Sequence, residues 1–251
     1  MRSALPPKRR VDVLLVERGL AASRARAQAL VQGGQVFAGE RRIEKPGTEL
    51  DPDLELTVRE GESERFVSRG GQKLDGALDA LHCSVTDALV ADVGASTGGF
   101  TDCLLQRGAR QVYAIDVGEA QLAEKIAGDP RVVVMDRTNA RFIEAERFAS
   151  PLDLVVVDAS FISLEKLLPA ITSWLNPGAR LLALIKPQFE VGRDEAKRSK
   201  GVVRDAEVRT LAIERVLAAI RESGFEVQGG VDSNVPGPKG NIEYFVLARR
   251  L

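Results

Sequence analysis

The sequence predicts an α/β protein built on a doubly wound, mainly parallel sheet, with a small α+β domain ahead of it. Three observations carry that prediction. From about residue 88 onward, continuous apolar runs of strand length alternate with amphipathic helical stretches, the pattern of a parallel sheet covered on both faces. The first of these runs, Ala88 to Val93, ends in a loop holding Gly94, Gly98 and Gly99 and passes directly into an apolar-periodic segment at Phe100, which reads as strand, tight turn, helix. Residues 1–63 read differently, as two short helices followed by short strands.

Composition bounds what the chain can be. With 251 residues, 44% hydrophobic and 28% charged, it has the profile of an ordinary soluble protein of one or two domains. No apolar run reaches the roughly 18 to 20 residues that cross a bilayer. The start, MRSALPPKRR, is basic but lacks the apolar core of a secretion signal. A membrane role is therefore not expected, and the cytoplasm is the expected location. Cys83 and Cys103 are too few for a disulfide framework and lack metal-ligand spacing, so they read as core residues and no metal site is expected. The formal net charge of −1 hides a gradient. Residues 1–45 carry ten Lys/Arg against four Asp/Glu, while residues 46–64 carry one against seven. A basic leading segment on a neutral protein points to a local polyanion contact.

In chain order, Val11, Leu14 and Leu15 give one face of a short helix ended at Gly19. Ser23 is placed to cap a second helix, RARAQALVQ, closed by Gly33-Gly34. Val36 and Phe37 lead to a turn at Gly39-Glu40, then Arg41 and Arg42, and LELTV alternates as a strand. The stretch VDVLLVERGLAASRARAQALVQGGQVFAGER resembles the RNA-binding domain first recognised in ribosomal protein S-four. That resemblance implies a grip on folded RNA by phosphate and shape contacts. Arg9, Arg10, Arg18, Arg24, Arg26, Arg41 and Arg42 are the candidate contacts. The polar EGESE at residues 60–64 marks a boundary. The expected division is a first domain over 1–63, a linker over 64–68 and a second domain over 69–251.

Beyond the boundary, Gly70-Gly71 precede an expected helix from Gln72 to Leu81. It carries Lys73 in its first turn, where the helix dipole disfavours a cation. Such a lysine is either solvated or matched by a specific carboxylate. The expected strands after the glycine loop are VYAID, VVVMD, LDLVVVD, RLLALIK and IEYFVLARR; the helices include LEKLLPAITSWL and AEVRTLAIERVLAAIRESG. Tyr113 and Trp174 read as packing residues, and His82 is given no role.

Asp92, Asp116, Asp136, Asp158 and Lys186 each close an apolar run. In open α/β sheets the ligand crevice lies beyond the carboxyl ends of the strands, where ionisable groups are cheap; in a core they are expensive. The glycine spacing is not G-x-G-x-x-G and the loop has no G-K-[ST], which favours a nucleoside ligand without phosphates. S-adenosylmethionine fits. Asp116, about twenty residues beyond the turn, is placed for ribose hydroxyls, and Asp136 for the adenine amino edge. Asp92, Gly94, Ser96 and Gly98 complete the expected cofactor set. Asp158 and Lys186 fall nearer the methyl group. If the last strand runs antiparallel, Glu243 at its start joins them on the same rim.

SRGGQKL, GASTGGFTD, VVVDASFISL, IKPQFEVGR and GNIEYF make the resemblance specific. From about Val11 to Leu251 the chain resembles the TlyA family, haemolysin-labelled ribosomal RNA ribose methyltransferases similar in their core to the FtsJ/RrmJ 2′-O-methyltransferases. The resemblance implies a Rossmann-like class I S-adenosylmethionine-dependent methyltransferase with an antiparallel last strand. It implies a Lys-Asp-Lys-Glu tetrad at Lys73, Asp158, Lys186 and Glu243, a linker at Arg65, Phe66 and Val67, and Phe161 beside the cofactor's methyl end. The implied reaction is 2′-O-methylation of cytidine in 16S rRNA, 23S rRNA or both, on 30S or 50S subunits, with the nucleotide turned out of its stack. A ribose hydroxyl needs its proton drawn off as attack begins, and in-line positioning carries much of the rate. Lys186 is the expected base or hydroxyl orienter. A base must be neutral, the form Lys73 favours and Asp158 and Glu243 oppose. The alternatives are a non-catalytic ribosome-assembly factor and a haemolysin.

Overall fold

The computed structural model describes residues 8–21, 23–32, 35–39, 41–43, 45–58, 65–160, 162–192, 198–199, 201–237 and 240–251. Gly33-Gly34, Glu40, the polar break at 60–64 and Phe161 lie outside them. The chain divides into two compact units, Met1–Glu64 and Arg65–Leu251. Among the described residues, no helix is long and apolar enough to cross a membrane.

In the first unit a two-residue strand β1 (Arg9–Arg10) leads into α1 (Val11–Glu17) and α2 (Arg24–Gln32). Strands β2 (Val36–Ala38), β3 (Arg41–Arg42), β4 (Glu49–Leu50) and β5 (Leu56–Val58) follow. β2 is central, antiparallel to both β3 and β5. The Ser23 hydroxyl accepts the Arg26 N–H at 3.2 Å, as the capping signal predicts. Gly19 turns with φ +69°, which a side chain resists. Val11, Leu15, Ala27, Val31 and Val36 pack into one small core.

The second unit opens with α3 (Arg69–Ala80), then β6 (Leu89–Val93), α4 (Gly99–Gln106), β7 (Gln111–Ile115), α5 (Glu124–Ala127), β8 (Val132–Met135) and β9 (Leu152–Val157). It continues with α6 (Leu168–Trp174), β10 (Leu175–Ile185), α7 (Pro187–Glu190), α8 (Ala206–Glu222), β11 (Phe225–Asp232) and β12 (Tyr244–Arg250). The sheet order is β11-β12-β10-β9-β6-β7-β8. Pairs from β10 to β8 are parallel, and β12 is antiparallel to both its neighbours. The chain moves outward from β6 to β8 and then returns to place β9 on the other side of β6. That reversal opens the crevice in which doubly wound sheets bind ligands.

Side chains alternate along the strands. Val90, Val112, Leu154, Val156 and Leu182 join a core with Leu74 and Leu104 of α3 and α4. Ala91, Ile115, Val155, Val157 and Ala183 join the other, with Ile171 and Val216 of α6 and α8. Tyr113 and Trp174 pack edge-on to Phe148 at 5.0 and 5.2 Å, and both cysteines are buried free thiols, as expected of core residues.

Two expectations are corrected. Helix α3 begins at Arg69, with Gly70 and Gly71 inside it and Lys73 in its second turn. A Cβ on Gly71 would lie 2.3 Å from Phe66 Cβ, and one on Gly99 would lie 2.9 Å from the Gly71 nitrogen. Close approach of α3, α4 and Phe66 needs glycine there, which outweighs its cost of roughly 1 kcal/mol in a helix. Strand β11 is the second correction, absent from the expected set. It is an edge strand whose residues alternate in burial and whose centre is Gly229-Gly230, so it lacks the continuous apolar run of its neighbours.

Candidate active site

Gly94 stands at the end of β6 with φ +89°, and a Cβ there would sit 2.7 Å from the Asp158 carbonyl oxygen. Gly98, φ +90°, precedes α4, where a Cβ would lie 2.9 Å from Leu122 Cδ2. These glycines let the loop fold tightly between β6 and β9. Beside it lies a cavity of about 420 Å³ walled by Gly94 and Ser96, by Asp116 and Val117 after β7, and by Asp158 to Ser160 after β9. Asp116 accepts the Ser96 N–H at 2.9 Å on one carboxylate oxygen and the Gly118 N–H at 2.7 Å on the other. Held this way, it keeps lone pairs free for a ribose diol. Ile115, Val117, Ile162 and Leu167 give the cavity apolar walls, and Thr138 and Asn139 supply polar groups. An apolar slot with a fixed carboxylate fits an adenosyl group.

Asp136 is not part of that lining. Its Oδ2 accepts the Ala120 N–H at 2.8 Å, so it braces the β7–α5 loop, while Asn139 is among the residues that line the cavity. Asp92 is likewise beneath the loop, not on the rim. It is wholly buried, and the Thr101 hydroxyl donates to its Oδ2 at 2.7 Å. Oδ1 has no hydrogen-bond partner among the described residues. Burial, the largest cause, pushes this carboxyl up to about 7, against the Thr101 hydrogen bond.

A stability prediction follows from Asp92. Unfolded, it loses its proton near 3.8; folded, it keeps it to about 7. Rising pH through that window therefore favours unfolding, by up to about 1.4 kcal/mol per pH unit. Thermal melts of the cofactor-free Asp92→Asn variant should lack this slope. A wild-type profile that parallels the variant's from pH 4 to 7 would count against it.

A second chamber of about 240 Å³ shares Gly94, Ser96 and Asp158 with the first and is otherwise bounded by Arg69, Lys73, Phe100 and Pro236, among others. Lys73 and Asp158 line it, and with Glu243 and Lys186 the four tetrad positions form two ion pairs. Lys186 Nζ lies 2.5 Å from Asp158 Oδ1 and donates to Ser160 Oγ at 2.8 Å. Lys73 Nζ lies 2.5 Å from Glu243 Oε2, whose other oxygen accepts from Gln188 Nε2 at 3.2 Å. The antiparallel β12 explains the last member, since Tyr244 pairs with Ile185 and so brings Glu243 beside Lys186. Burial pushes the Asp158 carboxyl up, and the Lys186 and Lys73 ammoniums pull against it. The question of Lys73 is answered by a specific carboxylate. Sequence reasoning missed Gln188, Ser160, Thr138 and Asn139; only their nearness to strand ends marked them.

In the first unit, wholly buried Asp12 accepts from Arg10 at 2.9 Å, Arg24 at 3.1 Å and Gln28 at 3.0 Å. The Arg10 hydrogen bond is the largest cause holding its carboxyl well below the usual range. Arg9 pairs with Glu17, and Arg18 donates to the carbonyls of Leu54 and Pro52. Arg26, Arg41 and Arg42 are exposed and have no side-chain partner among the described residues. Asp12 carried no sequence signal as a core anion.

A mainly parallel sheet ending in an antiparallel hairpin, with a glycine loop and a fixed carboxylate at its switch point, defines a class I S-adenosylmethionine-dependent methyltransferase. Residues 66–250 match the FtsJ-like methyltransferase family and residues 9–56 the S4 domain. YqxC of Bacillus subtilis is 46% identical over 240 residues, covering 95% of this chain and 85% of that protein. The 16S/23S rRNA (cytidine-2′-O)-methyltransferase TlyA of Mycobacterium tuberculosis is 45% identical over 240 residues, covering 96% and 89%. A Streptococcus thermophilus structure described as a candidate hemolysin superposes with a TM-score of 0.76 at 42% identity, covering 98% of this chain and 90% of that one. The chain belongs to the TlyA family of methyltransferases, an FtsJ-like catalytic domain joined to an S4 domain, and S-adenosylmethionine is its methyl donor.

Proposed function

We propose that this protein methylates the ribose 2′-oxygen of cytidine in 16S rRNA, 23S rRNA or both, within cytoplasmic ribosomal subunits. The observation that carries this reading is the Asp158–Lys186 ion pair, whose carboxylate lines both chambers and so sets a buried lysine beside the cofactor cavity. Bound in the first cavity, S-adenosylmethionine supplies an electrophilic methyl group on a sulfur that leaves as a neutral thioether. Asp116 and Gly94 hold its adenosyl end, with Asp92 supporting the loop from below. Lys186 meets the substrate hydroxyl in one of two roles: as an ammonium it fixes the direction of attack, and as the neutral amine, its own proton first given up, it takes the hydroxyl proton as the bond to oxygen forms. Asp158 fixes Lys186, and Lys73, held by buried Glu243, lines the second chamber.

The test is transfer of labelled methyl to 30S and 50S subunits, followed by mapping of 2′-O-methyl marks on 16S and 23S rRNA. A mark at a cytidine in either RNA is the expected result. Methyl on a base, or on no RNA, would defeat the assignment.

The S4 domain and the arginines of the first unit are proposed to hold that RNA, while Arg65, Phe66 and Val67, expected as a linker, belong to the second unit, where Phe66 is buried in its core. Arg26, Arg41 and Arg42 form no competing pair among the described residues, so they contribute most directly to phosphate contacts; Arg10 and Arg24 do so while tethered to Asp12. Reversing the charge of Arg26, Arg41 and Arg42 together should weaken RNA binding. It should also lower the slope of log affinity against log salt by about 2 to 3, at about 0.7 to 0.9 per lost phosphate contact. An unchanged slope would remove this face from the interface.

A further inference from the structure

Helix α7 is four residues long and follows Lys186 directly, yet it ends in a buried glutamate, Glu190, 9% exposed. No lysine or arginine forms an ion pair with it among the described residues. Instead its Oε1 accepts the Leu164 N–H at 3.0 Å and its Oε2 accepts the Ser163 hydroxyl at 2.7 Å. Both donors lie just past β9, on the segment that begins with Asp158, Ala159 and Ser160 and supplies Ile162 and Leu167 to the cofactor cavity. That same segment places Ser160 Oγ 2.8 Å from Lys186 Nζ. A buried anion costs several kcal/mol unless hydrogen bonds satisfy it, so a carboxylate used merely to fill space would be a poor choice here.

We propose that Glu190 is a positioning residue which clamps the segment after β9 to the turn after β10, so that the cofactor wall and Lys186 keep one fixed spacing. The proposal rests on the methyltransferase reading above and adds to it a residue that touches neither substrate nor cofactor. The four-residue path from Lys186 to Glu190 and the six-residue path from Asp158 to Leu164 form a closed loop through two hydrogen bonds. If the clamp opens, both the cavity wall and the Asp158–Lys186 pair are free to drift, and displacements of about 1 Å in such sites cost on the order of 100-fold in rate.

The chemistry of the clamp separates position from charge. In Glu190→Gln the amide oxygen still accepts the Leu164 N–H, and the amide NH2 donates to Ser163 Oγ once that hydroxyl turns its hydrogen away. In Glu190→Ala both bonds are lost, and in Ser163→Ala only one.

The experiment measures S-adenosylmethionine affinity by calorimetry, methyl transfer at saturating cofactor and thermal stability, on the full chain and each variant. Glu190→Gln should stay within about threefold of wild type in affinity and rate, while Glu190→Ala loses roughly tenfold or more in each, the lower end of what one hydrogen bond to a charged group contributes. Should Glu190→Ala fail to fold, Ser163→Ala supplies the same reading, with a loss of about threefold or more at near-native stability. Wild-type behaviour in both alanine variants would overturn the clamp. Equal losses in Glu190→Gln and Glu190→Ala would also overturn it, in favour of a role for the charge. Cofactor affinity is read without RNA, so a wild-type protein that binds the cofactor but methylates no RNA defeats the substrate assignment alone.

Discussion

Lys186→Ala should reduce methyl transfer by about 100- to 10,000-fold, the range general base catalysis spans, while leaving cofactor affinity within a few-fold of wild type. Lys186 does not line the 420 Å³ cavity, so the adenosyl contacts survive its loss. Its removal unpairs Asp158, whose carboxyl burial already pushes upward. The Asp158 side chain is 21% exposed and lines both chambers, so water can take the lysine's place and the fold is spared most of the penalty. Lys186→Arg separates the two ways the lysine can act. A guanidinium can orient a hydroxyl but cannot take its proton at ordinary pH. Partial recovery of rate in the arginine variant would mark orientation as the main contribution; a rate as low as alanine's would mark proton transfer. Calorimetry with S-adenosylmethionine and a single-turnover transfer assay decide it. A Lys186→Ala protein that methylates RNA at the wild-type rate would remove the residue from the mechanism.

Much of this site was legible in the sequence because strand ends write themselves there. An apolar run stopping at Asp116, Asp158 or Lys186 states both the buried strand and the polar rim, and the structure places all three at the crevice. The same rule overreached at Asp92 and Asp136. A residue at a strand end can turn up to the ligand or down against a neighbouring loop, and only the loop's path decides. Glycine was readable as a turn at Gly94 and Gly98, where φ is positive, and misread at Gly70-Gly71, where it serves packing between helices. A one-dimensional pattern does not distinguish those uses. Strand β11 escaped because its stability comes from pairing with β12, which no local hydrophobic run announces. The arginines of the first unit were visible as charge. Their tether was not, since a single Asp12 in a helix reads as surface until a core closes over it.

The Lys73–Glu243 pair allows stability and chemistry to be pulled apart. The Glu243 side chain is fully buried and that of Lys73 is 9% exposed. A Cβ on Gly237 would fall 2.3 Å from Glu243 Oε1, so the loop before β12 is packed directly onto the carboxylate. Lys73→Met therefore leaves Glu243 buried without its cation, with only the Gln188 amide beside it, and should cost about 3–5 kcal/mol in urea unfolding. Adding Glu243→Gln removes the stranded charge and keeps an oxygen for Gln188, so the double variant should recover most of that loss. Its methyl transfer should nonetheless stay at least 100-fold below wild type, because the charge that Lys73 places in the second chamber is gone even though the fold is restored. A single Lys73→Met protein as stable as wild type would show that water reaches the carboxylate. A double variant with full activity would assign the pair to folding alone. The buried ion pair costs free energy that an apolar pair would not, and a neutral substitute that folds but does not transfer methyl would show that this cost serves the reaction.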